Sequence, residues 1–390
     1  MRVRRLRLIV GGLVSVLALG ACSLLPGGGG GGGSPAAAPR DDQPFQLAGV
    51  CPNPIVIQTD WLPEAEYGAT YNLVGAGYKV NKERNLVRGP LVVEGRPTGV
   101  DVEVRSGGPA IEFATIASVM YEDPSITLGY MNTEQAAQFQ AKEPTISVIA
   151  PMDISPGVIM WDPATHPDWN TMVDIGQTDS PVLVTKDDIF PEYLVGSGIL
   201  RESQLKPEYD GSPTKFIESG GEIAQGGFAT AEPYIYQHDL PDWGKPIAFQ
   251  LIHDTGFEAY TQTLAVRAAD KDKLAPCLRK LVPLVQRSIV DFIQKPERTN
   301  ALIVNLATAY QVDFWNYGPK LAEFSASQQR RLGIVGNGPD QTIGNFDMAR
   351  VDGVLDILRP IFAGQKQPLK DGLRAEDLVT NEFIDPAVGL

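Results

Sequence analysis

Aromatic and acidic side chains crowd one short stretch of this chain. Thr59 to Tyr71 reads TDWLPEAEYGATY, directly behind the apolar run Ile55 to Gln58, and carries Asp60, Trp61, Glu64, Glu66, Tyr67 and Tyr71. No nucleophile elbow, phosphate loop or paired His–Cys arrangement accompanies it, and His166, His238 and His253 lack the i, i+4 spacing of a zinc-binding helix. Neither a metal nor another cofactor is expected, and no catalytic residue. What these residue types can do is recognise: flat rings stack on a flat solute, and carboxylates accept its N–H groups. Tyr67 and Tyr71, four apart, share one helix face. The same residues also suit plain packing, with Trp61 and Tyr71 in a core and the acids as first-turn helix charges. Both roles stay open at this point.

Such groups act together only if several loops bring them to one place. Three junctions share a design: an apolar strand, a short polar or glycine loop, then a proline opening a helix, where its missing N–H costs nothing. The first is IVIQTDWLPEAEYGATYNLVGAG, with the helix starting at Pro63. The second, VDVEVRSGGPAIEFATIASVMYED, turns at Ser106, Gly107 and Gly108 before Pro109. The third, TMVDIGQTDSPVLVTKDDIFPEYL, turns at Gln177 to Ser180 before Pro181. Strands alternating with helices imply β-α-β units and α/β sheets, in which ligands bind beyond the carboxyl ends of the strands. All three loops are therefore expected at one cleft.

Further strands, TISVIAPMDIS running into PGVIMWD and later PIAFQLIHDTG, bracket a block of about 100 residues, the size of a small domain, inserted between two crossover segments. Asp153 and Trp161 lie by the first crossover, Trp161 either as a lid or as hinge packing. After Arg267 the chain turns helical, with Leu278, Leu281, Leu284, Val285 and Ile289 at helical spacing, and these helices are expected to pack on the first lobe.

The other candidate residues divide in the same way. Backbone N–H groups at Ser106, Gly107 and Gly108 either cradle an anion or ring edge, or form a tight turn that needs glycine. Thr178 and Asp179 are expected to face them, and the Asp179 charge opposes an anionic ligand. Phe228 and Glu232 belong to GGFATAEPYIYQ, where Glu232 either meets ligand or caps the turn made by Pro233.

The N-terminus gives location. Arg2, Arg4, Arg5 and Arg7 precede the apolar run LIVGGLVSVLAL, too short for a permanent span, and then LGAC, which resembles a bacterial lipobox with Cys22 as the lipidated residue. Residues 1–22 are expected to be a signal peptide and 23–50, with seven consecutive glycines, a flexible tether. Cys51 and Cys277 are then the remaining cysteines, expected as a disulfide in an oxidising compartment. A formal charge of −14 argues against nucleic acid and anionic lipid surfaces as partners.

Taken with the lipobox, VIQTDWLPEAEYGATY, VRSGGPAIEFATIASV and GEIAQGGFATAEPYIYQ resemble the solute-binding proteins of ABC importers, in the branch of nitrate, taurine and sulfonate binders and of binders of thiamine pyrimidine precursors and riboflavin. Pyrimidine and flavin members commonly read aspartate-tryptophan-x-proline, then glycine and tyrosine; Asp60, Trp61, Pro63, Gly68 and Tyr71 stand in those places, with Tyr67 where those members often carry histidine. The resemblance implies a two-lobed α/β fold of the type II periplasmic-binding-protein kind, each lobe a mainly parallel sheet flanked by helices, with extra C-terminal helices. Lobe 1 would be 51–150 with 251–390, and lobe 2 the inserted 151–250. It implies a non-enzymatic, membrane-tethered monomer that closes on a small, flat heterocyclic solute and passes it to permease and ATPase subunits. Alternatives are a binder of nitrate, taurine or alkyl sulfonate, a pyrimidine-synthase-like enzyme, whose cysteine-rich motif is not visible here, or a lipoprotein whose aromatics bind another protein.

Overall fold

The structure, a computed structural model, describes residues 45–390 apart from Asp187, Asp313 and Phe314. The expected signal peptide, the lipidation site Cys22 and most of the tether lie outside the described residues. In chain order the strands are β1 (Ile55–Gln58), β2 (Lys79–Asn81), β3 (Leu86–Val93), β4 (Arg96–Arg105), β5 (Leu128–Met131), β6 (Thr145–Ile149), β7 (Gly157–Trp161), β8 (Val182–Leu183), β9 (Leu205–Lys206), β10 (Ala224–Phe228), β11 (Ala248–Leu251) and β12 (Thr263–Arg267). They form two sheets, ordered β2-β3-β4-β1-β5-β12-β6 and β11-β7-β10-β8-β9. The chain passes from the first to the second between β6 and β7 and returns between β11 and β12.

The two-lobed α/β architecture is the expected one, but the sheets are mixed rather than mainly parallel. Among the described strands, parallel pairing joins β1 with β4 and β5, and β8 with β9 and β10. Hairpin-linked β2, β3 and β4 pair antiparallel because a hairpin reverses the chain; β12, returning from the second sheet, enters antiparallel between β5 and β6, and β7 pairs antiparallel with β10 and β11. β1 is central in its sheet and buried at all four positions, which is why its run is β-branched without polar alternation. Its carboxyl end therefore opens at the middle of the sheet, where Asp60 and Trp61 follow.

Within residues 45–50, assigned to the tether on composition, two side chains are packed instead. Phe45 and Leu47 are buried in the first-sheet core, Arg96 lies over the Phe45 ring at 4.7 Å, and the Leu47 N–H donates to the Thr98 carbonyl at 2.9 Å. Four helices carry the C-terminal part: Lys271–Gln294, Glu297–Tyr310, Pro319–Arg331 and Met348–Gly364. The five apolar residues at helical spacing in the first of these are all buried. Cys277 on that helix is disulfide-bonded to Cys51, with the Cα atoms 4.8 Å apart. The last helix does not pack on the first lobe alone: it also contacts Phe190–Gly196, which follows β8 of the second sheet. Among the described residues no helix is long and apolar enough to cross a membrane.

Candidate functional site

Loops from both sheets enclose a cavity of about 510 Å³. From the first sheet come Asp60, Trp61 and Glu64 after β1, Asn132, Glu134 and Gln135 after β5, and Gln262 just before β12. From the second come Asp188, Ile189 and Phe190 after β8, Phe228 at the end of β10, and Glu232 after it. Trp315 and Tyr317, beyond the Glu297–Tyr310 helix, complete the wall. The cavity thus sits beyond the carboxyl ends of β1, β5, β8 and β10, where open α/β sheets bind ligands.

The β1 loop is held rigidly. Asp60 and Trp61 offer their carbonyls to the Gly108 and Gly107 N–H groups, each at 2.9 Å, and the Thr59 hydroxyl donates to the Trp61 carbonyl at 2.6 Å. A Cβ on Gly107 would lie 2.3 Å from the Thr59 oxygen, and Gly108, at φ +56°, would place one 2.7 Å from the Trp61 ring. Glycine is required there so that the second junction can lie against the first. The Trp61 indole packs beside Phe113, ring centroids 6.0 Å apart, and edge-on to Trp315 at 6.1 Å; the Trp315 Nε1–H donates to the Pro63 carbonyl at 3.1 Å.

Behind the wall, a polar relay joins three loops. The Tyr67 hydroxyl donates to Asp60 Oδ1 at 2.8 Å and accepts from Gln262 Nε2 at 2.8 Å, while the Gln262 backbone N–H donates to Asn132 Oδ1 at 2.8 Å. The carboxyls are buried, and burial disfavours their charged forms. Burial pushes Asp60 up to about 6 despite the Tyr67 hydrogen bond. Burial, then the neighbouring Glu66 and Asp60 charges, raise Glu64 well above the ordinary range. Glu134 is pushed up to about 7 by burial. Glu232 also reaches about 7 by burial, although the Phe228 N–H donates to its Oε2 at 2.6 Å. Among the described lining residues there is no lysine, arginine or histidine.

Of the residues singled out from sequence, Asp60, Trp61, Glu64, Phe228 and Glu232 meet at this cavity. Tyr67 and Tyr71 are fully buried behind it, Tyr71 in the first-sheet core. Ser106, Gly107 and Gly108 lie off the lining, with their N–H groups spent on the Asn85, Trp61 and Asp60 carbonyls. Asp153 pairs with Arg350 at 3.1 Å, and Trp161 is buried within β7, so neither lines the cavity.

The third junction is built the other way round. Met172–Gly176 is a helix, started by Thr171 in a capping box with Asp174, and the residues after Pro181 are the strand β8. Thr178 and Asp179 therefore precede the strand and point away from the cavity: Thr178 bonds the Ile175 carbonyl, and the fully exposed Asp179 pairs with Arg201 at 2.9 Å. The true junction follows β8, where Asp188 to Phe190 enter a helix with Pro191 at its start. The same strand–loop–proline signal marks it ten residues downstream. Glu134 and Gln135 were missed because the helix after β5 starts with Asn132 rather than with proline. Gln262 carries no local signal at all.

Neither a protein-family model nor a curated protein matches the chain. Among solved structures it is similar to the ligand-binding component of an ABC-type import system from Staphylococcus aureus, determined with zinc bound: 12% identity, 86% of this chain and 100% of that one, TM-score 0.52. It is likewise similar to the periplasmic aliphatic sulphonate binding protein of Escherichia coli, at 12% identity over 83% of this chain and 94% of that one, TM-score 0.52. An ABC transporter structure from Parabacteroides distasonis shares 11% identity over 86% of this chain and 100% of that one, TM-score 0.50. At these identities the likeness is one of fold: the chain has the two-lobed fold of periplasmic binding proteins.

Proposed function

We propose that the protein is the extracytoplasmic, lipid-anchored solute receptor of an ABC importer, closing its two lobes, 51–150 with 251–390 and the inserted 151–250, around a small flat solute that is uncharged or cationic. The single observation that carries this is the cavity itself. It is drawn from loops of both sheets, it has the volume of a small-molecule site, and it combines aromatic rings with several carboxyls and no basic group among the described lining residues. The similar structures named as import components share the fold on which such a site is built. Ring stacking by Trp61 favours a heterocycle of the thiamine-pyrimidine or flavin kind.

An anionic solute such as nitrate, taurine or an alkyl sulfonate is disfavoured by the same wall, since buried carboxyls repel it and nothing basic in the described lining offsets them. Asp179, at the surface, contributes nothing to that repulsion; Asp60, raised only to about 6, does. Native mass spectrometry of the protein purified from its own host is the test. A retained small molecule of heterocyclic mass supports the proposal, and tight calorimetric binding of taurine or nitrate removes the assigned solute class.

A further inference from the structure

Among the described residues, six carboxyl residues line the cavity: Asp60, Glu64, Glu134, Asp188, Glu232 and Asp239. An acidic lining does not by itself define a ligand. The hydrogen-bond inventory supplies the second observation. Gln262, 3% exposed, forms part of the wall, and its Oε1 has no partner. Its orientation follows from its neighbour: the Tyr67 hydroxyl spends its proton on Asp60, so only the Gln262 NH2 can face Tyr67, and the carbonyl oxygen is left over. Glu134 Oε2 is likewise buried without a partner. Three ring donors at or near the wall, by contrast, are already spent: the Trp315 Nε1–H on the Pro63 carbonyl, the Tyr67 hydroxyl on Asp60, and the Tyr209 hydroxyl on Glu232. Buried acceptors left unfilled are costly unless a ligand supplies the protons.

We propose that the solute is an organic cation, an amine or amidine whose N–H groups fill Gln262 Oε1 and the carboxyls of Asp60, Glu64 and Glu134, with its flat body against Trp61 and Trp315. This rests on the protein being a solute receptor and narrows its ligand class. Charge-assisted N–H···O bonds are the strong ones, and a cation beside indole faces gains further from the ring quadrupole. A cation there also favours the charged forms of these carboxyls, which burial disfavours.

The test is calorimetry on the full chain with three probes of one shape: benzamidine as the cation, benzamide as its neutral counterpart and benzenesulfonate as the anion. Benzamidine should bind at least tenfold more tightly than benzamide, and benzenesulfonate should not bind. Glu134→Gln and, separately, Gln262→Leu should each shrink the benzamidine preference severalfold, with a thermal melt of each variant showing that it remains folded. Equal binding of benzamide, or tighter binding of benzenesulfonate, overturns the cation class and leaves a receptor for another solute. If none of the three binds, the small molecule released on denaturing protein purified from its own host decides: a neutral or anionic one overturns this proposal alone, and the absence of any released solute overturns the receptor function with it.

Discussion

The Tyr67 hydroxyl donates to Asp60 Oδ1 at 2.8 Å from behind the cavity wall, so a residue that does not line the site favours the charged form of one that does. Burial raises Asp60 to about 6, and the Tyr67 bond is the largest influence pulling it back down. Tyr67→Phe keeps the ring, which packs edge-on against Tyr130 at 4.8 Å, and removes only the donor. The Asp60 titration, followed by carboxyl-carbon NMR, should move to higher pH. Stability should fall by about 1 kcal/mol, the ordinary loss of one hydrogen bond. A titration that stays in place would separate the two residues functionally.

The ligand-free protein should lose stability as pH rises from about 4.5 to 8. Asp60, Glu64, Glu66, Glu134 and Glu232 all titrate above their ordinary values, so the folded state holds protons that the unfolded chain has released. Their contribution is complete below the unfolded values and disappears as pH passes through the folded ones, near 6 to 7 where a value is given. Each fully buried group contributes about 1.4 kcal/mol per pH unit within its own window. Melting temperatures of ligand-free protein across that range check the sign, and a rise with pH would contradict the buried carboxyls.

Trp61→Ala should weaken solute binding by about 1 to 3 kcal/mol, the loss of one stacked ring. Because Trp61 also packs on Phe113 and Trp315, the melting temperature of the empty protein should fall slightly as well. Calorimetry and thermal melts on one variant separate these effects. A destabilised variant with unchanged affinity would make Trp61 a packing residue only.

Alanine at Gly107 and at Gly353 should act in opposite directions. At Gly107 the new Cβ meets the Thr59 oxygen at 2.3 Å and the Asp60 carbonyl carbon at 2.5 Å, so the loop must shift at a cost of about 1 to 3 kcal/mol. At Gly353, inside the Met348–Gly364 helix, nothing lies within 4 Å, and alanine should stabilise by up to about 1 kcal/mol. Denaturant midpoints measure both.

Replacing Cys51 and Cys277 together with alanine opens a loop of 226 residues. In the chain-entropy treatment such a link stabilises by up to about 5 kcal/mol, so the double variant should melt well below the parent. Equal melting temperatures with and without reductant would remove that contribution.

What could be read from sequence followed how local each signal was. Ile55 to Gln58 announces a doubly covered strand by composition, and Pro63 marks the turn behind it, so Asp60, Trp61 and Glu64 were placed correctly. Apolar residues in TMVDIG suit a strand as well as a helix, and the Thr171–Asp174 capping box decides for helix; Thr178 and Asp179 therefore precede β8 instead of following a strand into the cavity. Gln262 takes its place from partners on Tyr67 and Asn132, at least 130 residues away in the chain, and no pattern near it reports those contacts. Tyr67 illustrates the intermediate case: its type and its nearness to the site were legible, but its position behind Asp60 depends on how the Ala65–Tyr67 turn is buried.

The Cys51–Cys277 bond has a mechanical side. Tension arriving along the N-terminal segment reaches Cys51 before it reaches Ile55, and the covalent link diverts it into the 24-residue Lys271–Gln294 helix. Part of the load therefore bypasses the short link from Cys51 to β1, the strand that the loop holding Asp60 and Trp61 follows.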